Sequence, residues 1–145
     1  MIIVAKDFDY ALSTVQNPNN RGQVEVTKNG NSITNLSANA QILTLEKGTK
    51  QETASFNTGS GYLCAASSSS NYLRTKDKSD YSSFSIEITE GAAKIIAQGT
   101  YTHNILQYYS TNGLFACYAS DQKAVVIYKK VGSGTSEKIF ASGAA

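Results

Sequence analysis

The stretch FSIEIT, residues 84–89, decides the fold prediction, because two similar stretches lie at equal intervals on either side of it. ILTLEK occupies residues 42–47 and VVIYKK occupies residues 125–130. Each stretch alternates apolar with other residues and ends in polar ones, which is typical of a β-strand with one buried face. The apolar positions recur every 41 residues in two sets: Leu43, Phe84 and Val125, and Leu45, Ile86 and Ile127.

Three further strand candidates precede each of these stretches, so the chain divides into three units of four strands. In order along the chain they are IIVAK, YALSTV and QVEVTKNGNSIT, then TASFN, GYLCAA and NYLRT, then KIIAQG, NILQYY and LFACYA. Three such units with a period near 41 residues predict a β-trefoil, in which six strands close a short barrel and six form capping hairpins. Short strands with regular turns also occur in a β-sandwich or another closed barrel, which are the alternatives.

The first unit fits the repeat less well than the other two. The leucines at the equivalent second strands, Leu12, Leu63 and Leu106, are unevenly spaced. Extra residues around QNPNNRG, residues 16–22, and the dipeptide Asn29-Gly30 account for the difference. Asn-Gly is a strong hairpin signal because both residues tolerate a positive φ, so we expect an additional hairpin here.

The chain of 145 residues is long enough for one domain with one core. We place a single all-β domain at residues 1–131 and a Gly/Ser/Ala-rich tail at residues 132–145, which we expect to be loose. Ile139 and Phe140 are the tail residues that could dock on the domain. The chain starts inside a strand with no signal peptide ahead of it, so we expect a fragment or a processed form.

The composition excludes several function classes. Charged residues make up 17% of the chain and the net charge is +2, which gives no reason to expect nucleic acid or an anionic membrane as a partner. No apolar run approaches the length of a membrane span. One His and two Cys argue against a metal site, and we expect no cofactor and no catalytic residues. His103 has no neighbouring acid or nucleophile in sequence, so a base role for it is disfavoured.

The two cysteines, Cys64 and Cys117, lie in the apolar stretches GYLCA and LFACYA. We expect two buried thiols rather than a disulfide, because a domain of this size does not need a covalent link.

The candidate binding residues are tyrosines accompanied by hydrogen-bonding neighbours. The chain has nine Tyr and no Trp. A Tyr ring combines an apolar face with a polar tip, which suits stacking on a sugar, although strands also favour Tyr for structural reasons. The two best local combinations are Tyr108 and Tyr109 with Asn112, and Tyr72 with Asn71 and Arg74.

Several motifs also resemble those of a known family. GYLCAASSSSNYLRT, KIIAQG, ILQYYSTNGLFACYAS and VVIYKK, together with YAL and QNPNNRG in the first unit, are similar to a domain of unknown function. That domain is an accessory module of secreted and cell-surface proteins of Bacteroides-type gut bacteria. The resemblance covers most of the chain up to Lys130. It implies an extracellular or cell-surface location and a non-catalytic role, and it supplies no active-site residues.

The sequence therefore predicts a non-catalytic binding or adhesion module that is accessory to a larger extracellular protein. A glycan is the preferred partner, and by analogy with the fold up to three weak sites are expected. The alternative is a structural or protein-interaction component of a surface, filament or phage particle. An enzyme is the least favoured class. The oligomeric state is left open.

Overall fold

The computed structural model describes residues 1–132 and 135–139 and confirms the all-β prediction. The only helical element in these ranges is a single 3-10 turn at Asp80–Ser82, with Ser79 as its cap. No helix within them is long and apolar enough to cross a membrane. The strands are β1 Ile2–Ala5, β2 Tyr10–Gln16, β3 Arg21–Glu25, β4 Lys28–Asn29, β5 Ser32–Thr34, β6 Thr44–Lys47, β7 Ala54–Asn57, β8 Tyr62–Ala65, β9 Leu73–Lys76, β10 Phe84–Thr89, β11 Ala92–Ala97, β12 Ile105–Tyr109, β13 Leu114–Tyr118, β14 Val125–Gly132 and β15 Thr135–Lys138.

Six of these strands form a closed ring of antiparallel neighbours. The ring runs β1–β14–β11–β10–β7–β6 through strand pairing. It closes between Met1 and Leu43, where the Met1 amino group donates to the Leu43 carbonyl at 2.8 Å and the Leu43 N–H donates to the Met1 carbonyl at 2.8 Å. Leu43, Phe84 and Val125, the residues that define the sequence repeat, are all buried where β6, β10 and β14 begin.

Three hairpins accompany the ring: β2–β3, β8–β9 and β12–β13. Their leucines Leu12, Leu63 and Leu106 are fully buried and pair with Gln23, Thr75 and Cys117 respectively. The three leucines therefore occupy equivalent places in the three hairpins, although their spacing in the sequence is uneven. Most of the buried side chains form one cluster inside these strands.

A second, smaller apolar cluster lies on the other face of β1. It contains Ile2 and Val4 with Ile33 and Tyr128, among others. The predicted extra hairpin provides part of it: β4 and β5 pair across Asn29 and Ser32, and Gly30 has φ 61°. Because the hairpin covers β1, that strand is buried on both faces.

The prediction of a loose tail is wrong for the part of the tail that the structure describes. β14 continues to Gly132, and Thr135–Lys138 form β15, which pairs with β14 on one side and β5 on the other. Ile139 is buried, as its apolar character suggested, whereas Phe140 lies outside the described residues. Backbone pairing with two neighbours orders this polar segment, and composition does not reveal such pairing.

Arg21 is a buried cation at a position that is apolar in the other two hairpins. Arg21 lies two residues before the strand partner of Leu12. Leu73 and Phe115 hold the same place in the other hairpins, two residues before the partners of Leu63 and Leu106. Arg21 is 2% exposed, and no salt bridge among the described residues involves it. Burial lowers the pKa of its guanidinium.

The guanidinium of Arg21 is instead bound by neutral acceptors. It donates to the Ser13 carbonyl at 3.0 Å, and to side-chain oxygens of Gln41 at 2.8 Å, Gln16 at 2.9 Å and Thr75 at 2.7 Å. These bonds tie the first hairpin to the second, since Thr75 belongs to β9.

Cys64 and Cys117 are buried free thiols, as predicted. Burial raises the pKa of both thiols, so neither is activated as a nucleophile.

We expect Arg21→Met to lower the free energy of unfolding by at least about 2 kcal/mol, because it leaves several buried acceptors without a donor. Urea denaturation measures the change. Lys94→Met is the control: Lys94 is exposed on β11, and the same substitution there should change stability by no more than about 0.5 kcal/mol. Equal effects of the two substitutions would show that the Arg21 bonds contribute nothing.

We expect Ser55→Ala to raise the free energy of unfolding by up to about 1 kcal/mol, because the Ser55 hydroxyl is buried without a hydrogen-bond partner among the described residues. Ser83→Ala is the matched control. Ser83 is equally buried, but its hydroxyl accepts from the Thr49 N–H and donates to the Ser79 carbonyl, both at 2.8 Å. Thermal denaturation should show opposite shifts for the two variants, and a loss of stability in Ser55→Ala would contradict the prediction.

Candidate functional site

The third hairpin, β12–β13, directs its residues to two different faces. Tyr108 pairs with Phe115 and both are buried in the main cluster. Tyr109 pairs with Leu114 in the next register position, and Tyr118 pairs with Ile105. Because side chains alternate along a strand and paired residues share a face, Tyr109, Leu114 and Tyr118 lie on the other, outward face, where Tyr118 is still buried as part of the main cluster.

A cavity of about 350 Å³ opens on this outward face, and we refer to it as the hairpin pocket. It is lined by Asn71, Tyr109, Asn112, Leu114, Tyr118 and Gln122. Three of the six predicted binding residues, Asn71, Tyr109 and Asn112, are therefore brought together, although Asn71 precedes the others by almost forty residues in sequence. The rings of Tyr109 and Tyr118 are tilted neighbours with centroids 6.4 Å apart.

A tight turn places Asn112 at the mouth of the hairpin pocket. The Gly113 N–H donates to the Tyr109 carbonyl at 3.0 Å, and Gly113 has φ 65°. The positive φ favours glycine at this position, and a Cβ there would lie 2.7 Å from the end of the Gln23 side chain, which would have to shift.

The loop after β13 is held by a buried glutamine. Gln107 donates from Nε2 to the Ser120 carbonyl at 3.1 Å and accepts the Gln122 N–H at 2.8 Å through Oε1. These two bonds fix the backbone of Gln122 and leave its side chain exposed at the pocket.

Asn71 is oriented by the lone histidine. The Asn71 Oδ1 lies 2.8 Å from His103 Nδ1. A second bond joins the same two loops, since the Thr102 hydroxyl donates to the Ser68 carbonyl at 3.0 Å. His103 thus has an amide partner rather than a carboxylate.

Polar groups converge on the hairpin pocket without partners of their own. Among the described residues, nothing hydrogen-bonds to the hydroxyls of Tyr109 and Tyr118 or to the side-chain amides of Asn112 and Gln122. The same holds for the amide nitrogen of Asn71, whose oxygen alone is engaged. Tyr118 is 4% exposed and contributes to the lining of the pocket.

The hairpin pocket has no charged lining residue. Burial, with smaller effects from Tyr109 and Cys117, raises the pKa of Tyr118, so its hydroxyl remains a neutral donor. The described residues also contain no group of three or more His, Cys, Asp or Glu side chains that could hold a metal ion. The pocket can thus offer hydrogen bonds and apolar contact, but not ionic chemistry.

The other three predicted binding residues lie elsewhere. Tyr108 is 2% exposed and its hydroxyl donates to Gln23 Oε1 at 2.5 Å, so we reassign it to the core. Tyr72 and Arg74 form a separate contact in which the guanidinium carbon lies 4.9 Å from the Tyr72 ring centroid. Arg74 also donates to Asn19 Oδ1 and to the Pro18 carbonyl. This pair holds the first hairpin loop and does not line the hairpin pocket.

Sequence reasoning missed Leu114, Tyr118 and Gln122. Leu114 and Tyr118 alternate along β13 with the buried Phe115 and Cys117, which would have placed them on the outward face. That inference requires the register of β13 with β12, which the sequence does not show. Gln122 carries no sequence signal, because the Gln107 bonds that place it depend on the folded hairpin.

No family model, no curated protein and no solved structure matches this chain.

We expect Tyr118→Phe to change the free energy of unfolding by no more than about 0.5 kcal/mol, since it removes a hydroxyl that bonds to none of the described residues. Tyr108→Phe is the matched control and should lower stability by about 1 kcal/mol through loss of the Gln23 bond. Urea denaturation of both variants makes the comparison. A loss in Tyr118→Phe as large as in Tyr108→Phe would mean that the Tyr118 hydroxyl has an internal partner.

Proposed function

We propose that this protein is a non-catalytic carbohydrate-binding module and that the hairpin pocket is its sugar site. The observation that carries the proposal is the set of unpartnered hydroxyl and amide groups that surround one cavity. Asn71, Asn112 and Gln122 are exposed and Tyr109 is half-buried, so their polar groups are open to solvent around one cavity. A partner rich in hydrogen-bonding groups could bind to all of them at once.

A sugar ring has the surface that the hairpin pocket complements. Its hydroxyls both donate and accept, and side-chain amides and phenols can answer either role. Its C–H faces are apolar and can lie against the rings of Tyr109 and Tyr118 and the side chain of Leu114. A small preformed cavity with an apolar wall and a few polar groups is the usual construction of a small-ligand site.

The lining residues favour binding over catalysis. Hydrolysis of a glycosidic bond ordinarily uses two carboxyl groups that flank it, and the hairpin pocket is lined by amides, phenols and a leucine. These groups can hold a sugar but are poor general acids or bases near neutral pH.

We also propose one such site in each chain, rather than the three that a repeated fold would permit. Each hairpin leucine pairs with a residue on the neighbouring strand. The residue directly after that partner is Val24 in the first hairpin, Lys76 in the second and Tyr118 in the third. The phenol of Tyr118 therefore has no counterpart in the other two hairpins.

We also propose that the all-β fold is a β-trefoil. It is supported by the ring of six strands, the three hairpins and the equivalent burial of Leu43, Phe84 and Val125, which recur every 41 positions. Together with the family resemblance described above, it supports an accessory role beside a larger protein at the cell surface or outside the cell.

A protein-interaction component is the second candidate, favoured by an apolar groove of about 510 Å³ at the ring closure. Met1, Leu36, Ile42 and Leu45 contribute to the groove, and Ile42 is 56% exposed. This candidate would be preferred if sugars fail to bind.

The test of the sugar site is a glycan array that carries hexose and N-acetylhexosamine oligosaccharides, followed by calorimetry with the saccharide that gives the strongest signal. We expect one saccharide per chain. Asn112→Ala and Tyr109→Ala should each weaken its affinity at least about fivefold, the equivalent of roughly 1 kcal/mol.

Asn29→Ala is the matched control, because Asn29 also precedes a hairpin glycine but lies on β4, outside the hairpin pocket. Its affinity should equal that of the unmodified protein. An array without any signal, or full affinity in both pocket variants, would refute the proposed function.

A further inference from the structure

We infer that the hairpin pocket selects uncharged sugars and discriminates against sugars that carry a carboxylate or sulfate. The inference rests on the proposed function and defines its ligand class. It follows from the chemical nature of the lining residues: three amides, two phenols and one leucine, without a Lys, Arg or His.

An anionic sugar would lose hydration in this pocket without receiving a cation in return. Transfer of a charged group from water into a partly enclosed site is unfavourable unless it is paired or fully hydrogen-bonded. Amide and phenol groups give neutral hydrogen bonds, which are weaker toward an anion than those of a guanidinium or ammonium group. An uncharged hydroxyl or amide on the sugar loses much less hydration free energy when it enters the pocket.

The positive groups nearest in sequence to the lining residues are committed elsewhere or absent from the lining. Arg74 donates to Asn19 and to the Pro18 carbonyl while it stacks on Tyr72. His103 faces the oxygen of Asn71 through Nδ1 and is outside the lining. Lys123 follows Gln122 but is also outside the lining, and its backbone is paired with Tyr108.

The position of Tyr118 strengthens the selection. The Tyr118 residue is 4% exposed, and burial raises the pKa of its hydroxyl so that it stays uncharged. A carboxylate placed beside it would meet the apolar surroundings of the Tyr118 ring. A sugar hydroxyl or amide placed there would exchange one neutral hydrogen bond for another.

The experiment uses matched sugars that differ only at C6. Methyl glycosides of glucose, galactose and mannose are compared with their C6 uronic acids and C6 uronamides by calorimetry at pH 7. The uronamide has the shape of the uronate without its charge. We expect at least one neutral series to bind, its uronate to bind at least about tenfold more weakly, and its uronamide to recover most of that loss.

An engineered cation provides the converse test. Gln122→Lys places an ammonium group at the rim and keeps the backbone N–H that bonds to Gln107. We expect the uronate to bind several-fold more tightly to this variant, and the gain to shrink at high ionic strength. Gln51→Lys adds the same charge at an exposed turn outside the pocket and should leave the uronate unchanged.

The possible results separate the two proposals. Uronates that bind as tightly as their uronamides, or a Gln122→Lys variant with no gain for uronates, would overturn the inference and leave the sugar site standing. Binding of no sugar in any series would refute the proposed function and the inference with it.

Discussion

The antiparallel pairing of β1 with β14 is the constraint on which the rest of the structure depends, because it joins the first strand of the chain to its last long strand. Leu43, Phe84 and Val125 are buried where three strands of the ring begin. No single four-stranded unit can cover its own apolar face. Four consecutive residues of β1 pair in order with β14. Because β1 is buried on both faces, this register decides which of its residues face the main cluster and which face the smaller one.

Within that ring the three hairpins are free to differ, and their differences are informative. Equivalent positions hold Arg21, Leu73 and Phe115, and the polar one is accommodated because Gln16, Gln41 and Thr75 surround its guanidinium. In the third hairpin the equivalent position holds the buried aromatic ring of Phe115, and Tyr109 and Leu114 lie on the opposite face. The hairpin pocket arises on that face.

The sequence determines the ring better than it determines the pocket. The 41-residue interval identifies three ring strands because buried strand residues must be apolar, and that requirement is local. Local sequence does not distinguish Tyr108 from Tyr109. Adjacent strand residues point to opposite faces, and only the pairing with Phe115 and Leu114 decides which of the two is buried. The order of β15 likewise comes from pairing with β5 and β14, not from apolar alternation in TSEK.

The location of the hairpin pocket follows from how little of each strand the core requires. A hairpin strand must supply apolar residues at every second position only, so the alternate positions can carry groups that make no contribution to folding. Tyr118 occupies such a position. Its ring adds to the buried surface, whereas its hydroxyl has no hydrogen-bond partner among the described residues. A hydroxyl-free Phe would pack in the same way, so packing alone does not explain a Tyr at this position. Tyr118 shares the lining of one cavity with the amides of Asn71, Asn112 and Gln122, and the sugar site proposed for that cavity would give its hydroxyl a role.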